Sequence, residues 1–177
     1  MARRLFAALL VGALSLTPVA AQSQTSFTVA GGLTAPVSDL GDFADIGYHL
    51  AAGVNLGMPL MSYGFRLEGA YDGLSLKNGS GDVRIISGTA NIVANVGATR
   101  DAPYVIVGIG AYNRNFSNNA FGYGDGKTAV GINGGGGLRF PLGTISTYFE
   151  ARYHVMLGNS TEGTNYQFIP ITFGINF

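Results

Sequence analysis

The last nine residues of the chain alternate between large apolar side chains and small or polar ones. From Ile169 to Phe177 every second residue is large and apolar. A period of two indicates a β-strand with two different faces. An apolar strand rarely ends a soluble protein, because a chain terminus usually frays into water. The alternation therefore predicts a terminal strand that closes a barrel inside a membrane.

The beginning of the chain predicts a secretory signal peptide. Two arginines precede an apolar run at residues 5–16, and residues 19–21 are small, as a cleavage site requires. A transmembrane helix is the alternative, but the run is too short to cross about 30 Å of hydrocarbon comfortably. We therefore predict a cleaved signal peptide at residues 1–21 and one mature domain at residues 22–177.

The composition favours a membrane barrel over a soluble domain. Charged residues make up 11% of the chain, whereas soluble domains average about 25%. Although 47% of the residues are hydrophobic, no apolar stretch of 18 or more follows the signal, so no transmembrane helix is expected. Lipid surrounds the outside of a transmembrane barrel, where charged side chains are not needed.

Several function classes are disfavoured by the residue content. The mature domain keeps eight basic and ten acidic residues, a net charge of −2, so no nucleic-acid partner is expected. The absence of cysteine excludes disulfides, cysteine-based zinc sites and thiol nucleophiles. The glycines at 134–137 are not followed by Lys-Ser/Thr, and the first-loop aspartates do not have EF-hand spacing. We expect no cofactor, no metal and no catalytic residue.

Alternating segments predict eight strands along the mature domain. Most meet the roughly 9–11 residues that a tilted strand needs to cross a bilayer. The predicted strands are residues 26–36, 47–57, 62–74, 83–97, 103–114, 128–140, 144–156 and 167–177. The fold class is therefore all-β, an eight-stranded antiparallel up-and-down transmembrane β-barrel. A soluble lipocalin-type barrel is the alternative, but its polar outer face would need many more charges.

The connections between these strands alternate in length. Short connections are predicted at residues 58–61, 98–102 and 141–143. Longer ones, rich in Gly, Asn, Asp and Ser, are predicted at residues 37–46, 75–82, 115–127 and 157–166. Short periplasmic turns and long extracellular loops are typical of outer-membrane barrels. With an even number of strands, both termini are predicted to be periplasmic.

The alternation also assigns the two faces of most strands. Tyr63 and Tyr71 share the lipid-facing side of the third strand about 26 Å apart, which suits an aromatic girdle at each membrane interface. In the fifth strand both faces are apolar, and we favour the set that begins with Val105 as the outward one. The inward charges are predicted to form a polar network in the lumen: Arg66, Glu68, Asp72, Arg139, Glu150 and Arg152. Arg–Glu pairing is expected there, because an unpaired charge in a narrow barrel is costly.

Three segments carry a family resemblance: Gly31-Gly32-Leu33 before the first loop, Gly47-Tyr48 at the start of the second strand, and Phe173 to Phe177. On these segments the chain resembles the small eight-stranded outer-membrane barrels of the OmpA transmembrane-domain and OmpX type. The resemblance implies a place in the outer membrane, among its lipids and lipopolysaccharide.

The resemblance also implies how the protein is assembled and held. Phe173, Ile175 and Phe177 would be the signal that the barrel-assembly machinery recognises. No peptidoglycan-binding domain follows Phe177, so anchoring to the cell wall is not expected.

The expected role is structural or in cell-surface interaction, with a lumen mostly filled by side chains. Residues 37–46 and 115–127 are the candidate contacts for a surface ligand. The second segment places aromatics among polar residues, which suits either a partner or a loop that packs on itself.

Two alternatives remain open from the sequence. The first is a narrow pore for small solutes, in which Arg–Glu pairs switch partners, resembling what is proposed for OmpA. The second, less favoured, is a lipid A-modifying barrel, since some such barrels use a His with a Ser. His154, Ser160 and Glu162 are the residues concerned, but no compact His-x-Ser motif is present, and His49 has no nearby nucleophile on its strand.

Overall fold

A computed structural model of the chain describes residues 24–57, 62–77, 79, 81–97, 103–118, 122–123, 126–143, 145–158 and 165–177. The predicted signal peptide at residues 1–21 and the predicted turns at 58–61 and 98–102 lie outside these ranges. The elements in chain order are β1 (Gln24–Val37), α1 (Ser38–Phe43), β2 (Gly47–Gly57), β3 (Tyr63–Ser75), β4 (Gly81–Asn95), β5 (Tyr104–Asn118), β6 (Gly122–Tyr123), β7 (Lys127–Leu142), β8 (Ile145–Met156) and β9 (Tyr166–Asn176).

Eight long strands close into a ring, and β6 is a two-residue addition at the end of β5. The pairing order is β4-β3-β2-β1-β9-β8-β7-β5, and β4 also pairs with β5, which completes the circle. All pairs are antiparallel, and β1 meets β9 from Thr28 opposite Asn176 to Val37 opposite Gln167. Two backbone hydrogen bonds, 2.8 and 3.0 Å long, join Phe27 to Phe177. The predicted eight-stranded up-and-down barrel is confirmed.

The outer wall is apolar and the inner wall carries the polar residues. On β5, Val107 and Ile109 are 56% and 64% exposed, whereas Ile106 is fully buried inside the barrel. The outward set that begins with Val105 is therefore confirmed. Because large apolar side chains cover the outside, the lipocalin-type alternative is wrong. In the described part of the chain, no helix is long and apolar enough to span a membrane.

The largest departures from the predicted elements lie at one end of the barrel. The segment 37–46 is not a plain loop, because α1 occupies its centre. Strand β5 continues to Asn118 instead of ending at residue 114, so the start of the predicted loop 115–127 is strand. This extension has a partner, since Asn118 and Ser117 pair with Gly81 and Asp82 of β4. Elsewhere the strand ends lie within about two residues of the predictions.

Helix α1 fills the mouth of the barrel at this end, which we call the plug end. Its Leu40 is completely buried in a cluster that we call the apolar cap. The members of the cap are Leu40, Ala44, Leu74, Val83, Ile85, Tyr112, Met156 and Phe168. The N-cap residue of the helix makes no side-chain capping hydrogen bond. Burial of these apolar side chains is therefore the main interaction that holds the helix in place.

Two tyrosine rings lie flat over glycines that face them across neighbouring strands. Tyr148 on β8 is opposite Gly174 on β9, and Tyr104 on β5 is opposite Gly137 on β7. A Cβ atom at either glycine would collide with the facing tyrosine side chain. Because glycine has no side chain, it leaves the space in which each tyrosine ring lies along the inner wall.

We expect Gly174→Val to lower the free energy of unfolding by about 1–3 kcal/mol, because the added side chain must displace the Tyr148 ring. The matched control is Gly88→Val, where an added Cβ meets no atom within 4 Å. The control should change stability by less than about 0.5 kcal/mol. Urea unfolding in detergent micelles, followed by circular dichroism, measures both. Equal losses in the two variants would contradict the proposed role of the Tyr148–Gly174 pair.

Candidate functional site in the barrel interior

Four charged side chains meet at the centre of the barrel and form what we call the central network: Arg66, Glu68, Glu150 and Arg152. The first two project inward from β3 and the last two from β8. These strands are four places apart in a ring of eight, so they stand on opposite walls. The network therefore spans the full width of the lumen.

Each arginine of the central network contacts both glutamates. Arg66 Nη1 lies 2.9 Å from Glu150 Oε2 and 3.8 Å from Glu68 Oε2. Arg152 Nε lies 2.9 Å from Glu150 Oε1, and Arg152 Nη2 donates to Glu68 Oε1. All four side chains are at most 2% exposed. Two positive and two negative charges cancel, which a buried cluster requires.

Neutral side chains complete the coordination of the central network. The Tyr104 hydroxyl donates to Glu150 Oε2 at 2.6 Å. Arg66 Nε donates to Asn55 Oδ1 at 2.8 Å, and the Arg66 guanidinium lies 5.0 Å from the centre of the Tyr148 ring. Hydrogen bonds and a ring face thus replace part of the water that these charges lose on burial.

The other two predicted lumen charges lie outside the central network. Arg139 is half-buried, and its Nη1 donates to Asn95 Oδ1 at 3.3 Å. Its guanidinium also lies 4.9 Å from the centre of the Tyr104 ring. Asp72 is fully buried, with His49 Nδ1 at 2.7 Å from its Oδ1, which also accepts a hydrogen bond from Thr34.

The sequence analysis missed the pairing of His49 with Asp72. These residues stand directly opposite each other on β2 and β3. The signal was present, since aligning the two predicted strands around a short turn places both side chains inward as neighbours. A search for nucleophiles along a single strand could not find it.

His154 also lies inside the barrel, below the apolar cap. Its Nδ1 is 3.0 Å from the Tyr112 hydroxyl, and its ring stacks on Phe168 with centroids 4.9 Å apart. Ser160 and Glu162, the other residues of the lipid A-modifying alternative, lie outside the described residues.

A polar layer separates the central network from the apolar cap. On β3, Asp72 comes between Glu68 and Leu74; on β8, His154 comes between Arg152 and Met156. In the described ranges, four side chains of this layer have buried polar atoms without a protein partner: His49, Asp72, Asn133 and His154. Buried polar atoms without a protein partner are usually hydrogen-bonded to ordered water. No group of three or more His, Cys, Asp or Glu side chains among the described residues is arranged to hold a metal ion.

The proposed girdle and assembly residues all lie on the outer wall. Tyr63 is 43% exposed, and Tyr71 is half-buried because its ring stacks on Tyr48 at 5.8 Å. Phe173, Ile175 and Phe177 are 55%, 40% and 60% exposed. These positions face the surroundings of the barrel, while the roles assigned to them stay predictions.

The two segments predicted to bind a surface ligand touch each other at the plug end. Phe43 of segment 37–46 lies 6.0 Å from Phe116 of segment 115–127, measured between ring centroids. Tyr166 packs on Phe43 at 6.2 Å, and the Arg114 guanidinium lies over the Tyr166 ring at 3.5 Å. Part of the aromatic content of these segments therefore packs within the protein.

Comparison with known proteins identifies the class of barrel. Residues 6–177 match the family model of the outer membrane protein beta-barrel domain. The chain belongs to this family. It is therefore an outer-membrane barrel, as the resemblance implied. No curated protein matches it in sequence.

Solved structures show the same fold at low sequence identity. Neisserial surface protein A is 14% identical, with a TM-score of 0.65 over 86% of this chain and 95% of that one. Ail, the attachment invasion locus protein of Yersinia pestis, is 16% identical, with a TM-score of 0.53 over 88% and 99%. The N-terminal barrel of Pseudomonas aeruginosa OprF is 16% identical, with a TM-score of 0.50 over 88% and 100%. At these identities the likeness extends to the fold alone.

We expect Glu150→Ala to lower the free energy of unfolding by about 3–5 kcal/mol, because Arg66 and Arg152 would both lose a buried counter-charge. Asp45→Asn is the control, since Asp45 is exposed at the plug end, and it should cost less than about 0.5 kcal/mol. Urea unfolding of the refolded barrel compares the two. A Glu150→Ala barrel as stable as the control would show that the central network does not support the fold.

Proposed function

We propose that this outer-membrane barrel has a structural or surface-interaction role and no catalytic activity of its own. The observation that carries the proposal is the filled interior. The central network crosses the lumen between β3 and β8, and the apolar cap closes the plug end above it. With the inside occupied by its own side chains, the barrel offers its outer wall and its exposed end to other molecules.

We further propose that the plug end faces the outside of the cell and that both chain termini are periplasmic. Segments 37–46 and 115–127 both reach the plug end, where Phe43 contacts Phe116. At the opposite end, two residues separate β7 from β8, and the first of them, Gly143, has a φ of 66°. Long extracellular connections and short periplasmic turns are usual in these barrels.

The partners follow from this placement. Outer-membrane lipids and lipopolysaccharide would surround the wall, and the barrel-assembly machinery would read Phe173, Ile175 and Phe177 during insertion. A surface ligand would meet segments 37–46 and 115–127. Two proteins of similar fold are named for the cell surface or for attachment, neisserial surface protein A and Ail, which supports a role of this class.

The orientation is testable by labelling because the chain has no cysteine. A single introduced cysteine then reports one position. We expect Lys127→Cys, at the plug end, to react with a membrane-impermeant maleimide on intact cells. Ser62→Cys, exposed immediately before β3 at the opposite end, should react only after the outer membrane is permeabilised.

The heat-modifiable shift of each variant on a gel checks that it has folded. Labelling of Ser62→Cys but not Lys127→Cys on intact cells would reverse the orientation. Such a result would also remove segments 37–46 and 115–127 as contacts for a surface ligand.

A narrow pore is the second candidate, and one observation favours it. Each arginine of the central network already contacts both glutamates. An exchange of partners therefore needs only small movements, and such an exchange would be the gate of a pore.

Planar-bilayer recording separates the two candidates. Under the favoured role, we expect no stepwise conductance from the wild type, Glu68→Ala or Glu150→Ala, because the apolar cap still closes the plug end. Asp45→Asn serves as the charge-removal control at the surface. Conductance steps in the wild type that change in Glu68→Ala, but not in Asp45→Asn, would establish the pore instead.

A further inference from the structure

Strand β9 contains a proline although it has a neighbouring strand on each side. Pro170 lies between β1 and β8, and it is opposite Thr34 of β1. Proline has no backbone N–H, so within sheets it is usually confined to edge strands and bulges. A closed barrel has no edge strand. One of the two ladders beside Pro170 must therefore lack a hydrogen bond.

The pairing at the end of the chain shows which ladder lacks that bond. Phe177, one residue beyond β9, exchanges both backbone hydrogen bonds with Phe27. Backbone groups of successive strand residues point to alternate sides, so odd-numbered residues of β9 face β1 and even-numbered residues face β8. The register between β1 and β9 continues without a break to Val37 opposite Gln167. The missing N–H of Pro170 is therefore on the side of β8.

The ladder between β8 and β9 is interrupted at this place, among residues that are all described. Two successive cross-strand pairs are missing: Arg152–Pro170 and Tyr153–Ile169. The pairs on either side of the gap have the same register, so there is no bulge: Ala151–Ile171 and His154–Phe168. The Arg152 carbonyl cannot accept the hydrogen bond that another residue at position 170 would donate. Because a lost ladder bond is costly in hydrocarbon, this gap weakens the wall.

The proline in β1 does not interrupt a ladder. Odd-numbered residues of β1 face β9, as Phe27 does, so Pro36 faces the side of β2. The register between β1 and β2 ends at Thr34 opposite Gly47. No ladder hydrogen bond is therefore lost at Pro36, which makes it a matched control for Pro170.

Polar groups lie on both faces of the wall at this gap. On the outer wall, Tyr153 Oη donates to Gln167 Oε1 and links β8 with β9. Gln167 is the second residue of β9, so this part of the wall is near the rim of the plug end. On the inner wall, His154 of the polar layer has a buried Nε2 without a protein partner. The apolar cap and the central network occupy the lumen above and below this layer.

We propose that β8 and β9 separate locally at Pro170 and form a side opening through which water reaches the polar layer. Separation is favoured here because the ladder already lacks one hydrogen bond, and strand pairs of low local stability open first. The contact of Tyr153 with Gln167 holds the two strands together in the closed state. The side opening does not depend on the proposed orientation or surface role, because it concerns the wall and not segments 37–46 and 115–127.

Residue-resolved amide hydrogen exchange, measured by NMR on the refolded barrel in micelles, tests whether this strand pair opens. The amides of Arg152 and His154 face β9, whereas the amide of Tyr153 in the same strand faces β7. We expect the wild-type amides of Arg152 and His154 to exchange about tenfold faster than that of Tyr153. Equal exchange of the three amides would overturn the proposal.

Two variants show whether the missing N–H is the cause. Pro170→Ala restores the donor to β8, so it should remove most of the difference in exchange. Pro36→Ala should leave the difference as it is in the wild type. A difference that survives in Pro170→Ala, or that disappears equally in both variants, would overturn the assignment of the opening to Pro170.

Thiol labelling tests whether water enters at the side. Because the chain has no cysteine, Asn133→Cys places a single thiol in the polar layer, opposite His154 on the neighbouring strand. We expect a small water-soluble methanethiosulfonate reagent to modify this thiol, and Pro170→Ala to slow the reaction about tenfold. Pro36→Ala should leave the rate unchanged, and heat-modifiable migration checks that each variant has folded. An unreactive thiol, or a rate that Pro170→Ala does not change, would overturn the side opening.

Discussion

The whole structure depends on the pairing of backbone N–H and C=O groups in a medium that offers them no water. In hydrocarbon each unpaired group costs several kcal/mol, so a sheet must have no open edge. The meeting of β1 with β9 removes the last edge here. Closure at eight strands then sets the width of the interior, which is just large enough for side chains. Everything polar on the inner faces has to find its partners within that width.

The central network is the consequence of that confinement. Glu68 and Glu150 share the two arginines across the lumen, so no single charge is left with only the low-dielectric interior around it. Above it the polar layer around His49, Asp72 and His154 leads to the apolar cap. Because these layers occupy the inside, the features open to other molecules lie at the plug end and on the outer wall.

The strands could be predicted from the sequence because lipid outside and side chains inside impose a period of two on nearly every residue. Strand β2 has the predicted ends at both sides. The extension of β5 could not be predicted, since Asn115-Phe116-Ser117-Asn118 reads as a loop until β4 is seen to pair with it. Helix α1 offers one fully buried side chain, Leu40, in six residues, too little for a helical period. The alternation of apolar and polar residues shows which charges face inward, but not which of them meet, because that depends on how the strands are staggered around the ring. The sequence therefore did not predict that Asp72 and Arg139 lie outside the central network.

The direction of the central ion pairs affects how easily the barrel can be deformed. Arg66 with Glu150, and Arg152 with Glu68, join walls that face each other across the diameter of the cylinder. Bonds around the circumference fix the perimeter of such a tube, but they leave it free to flatten into an oval. Ion pairs across the diameter oppose that flattening. The barrel should therefore resist lateral pressure from the bilayer at mid-height, and its cross-section should deform first at the rim opposite the plug end, because α1 and the apolar cap fill the plug end.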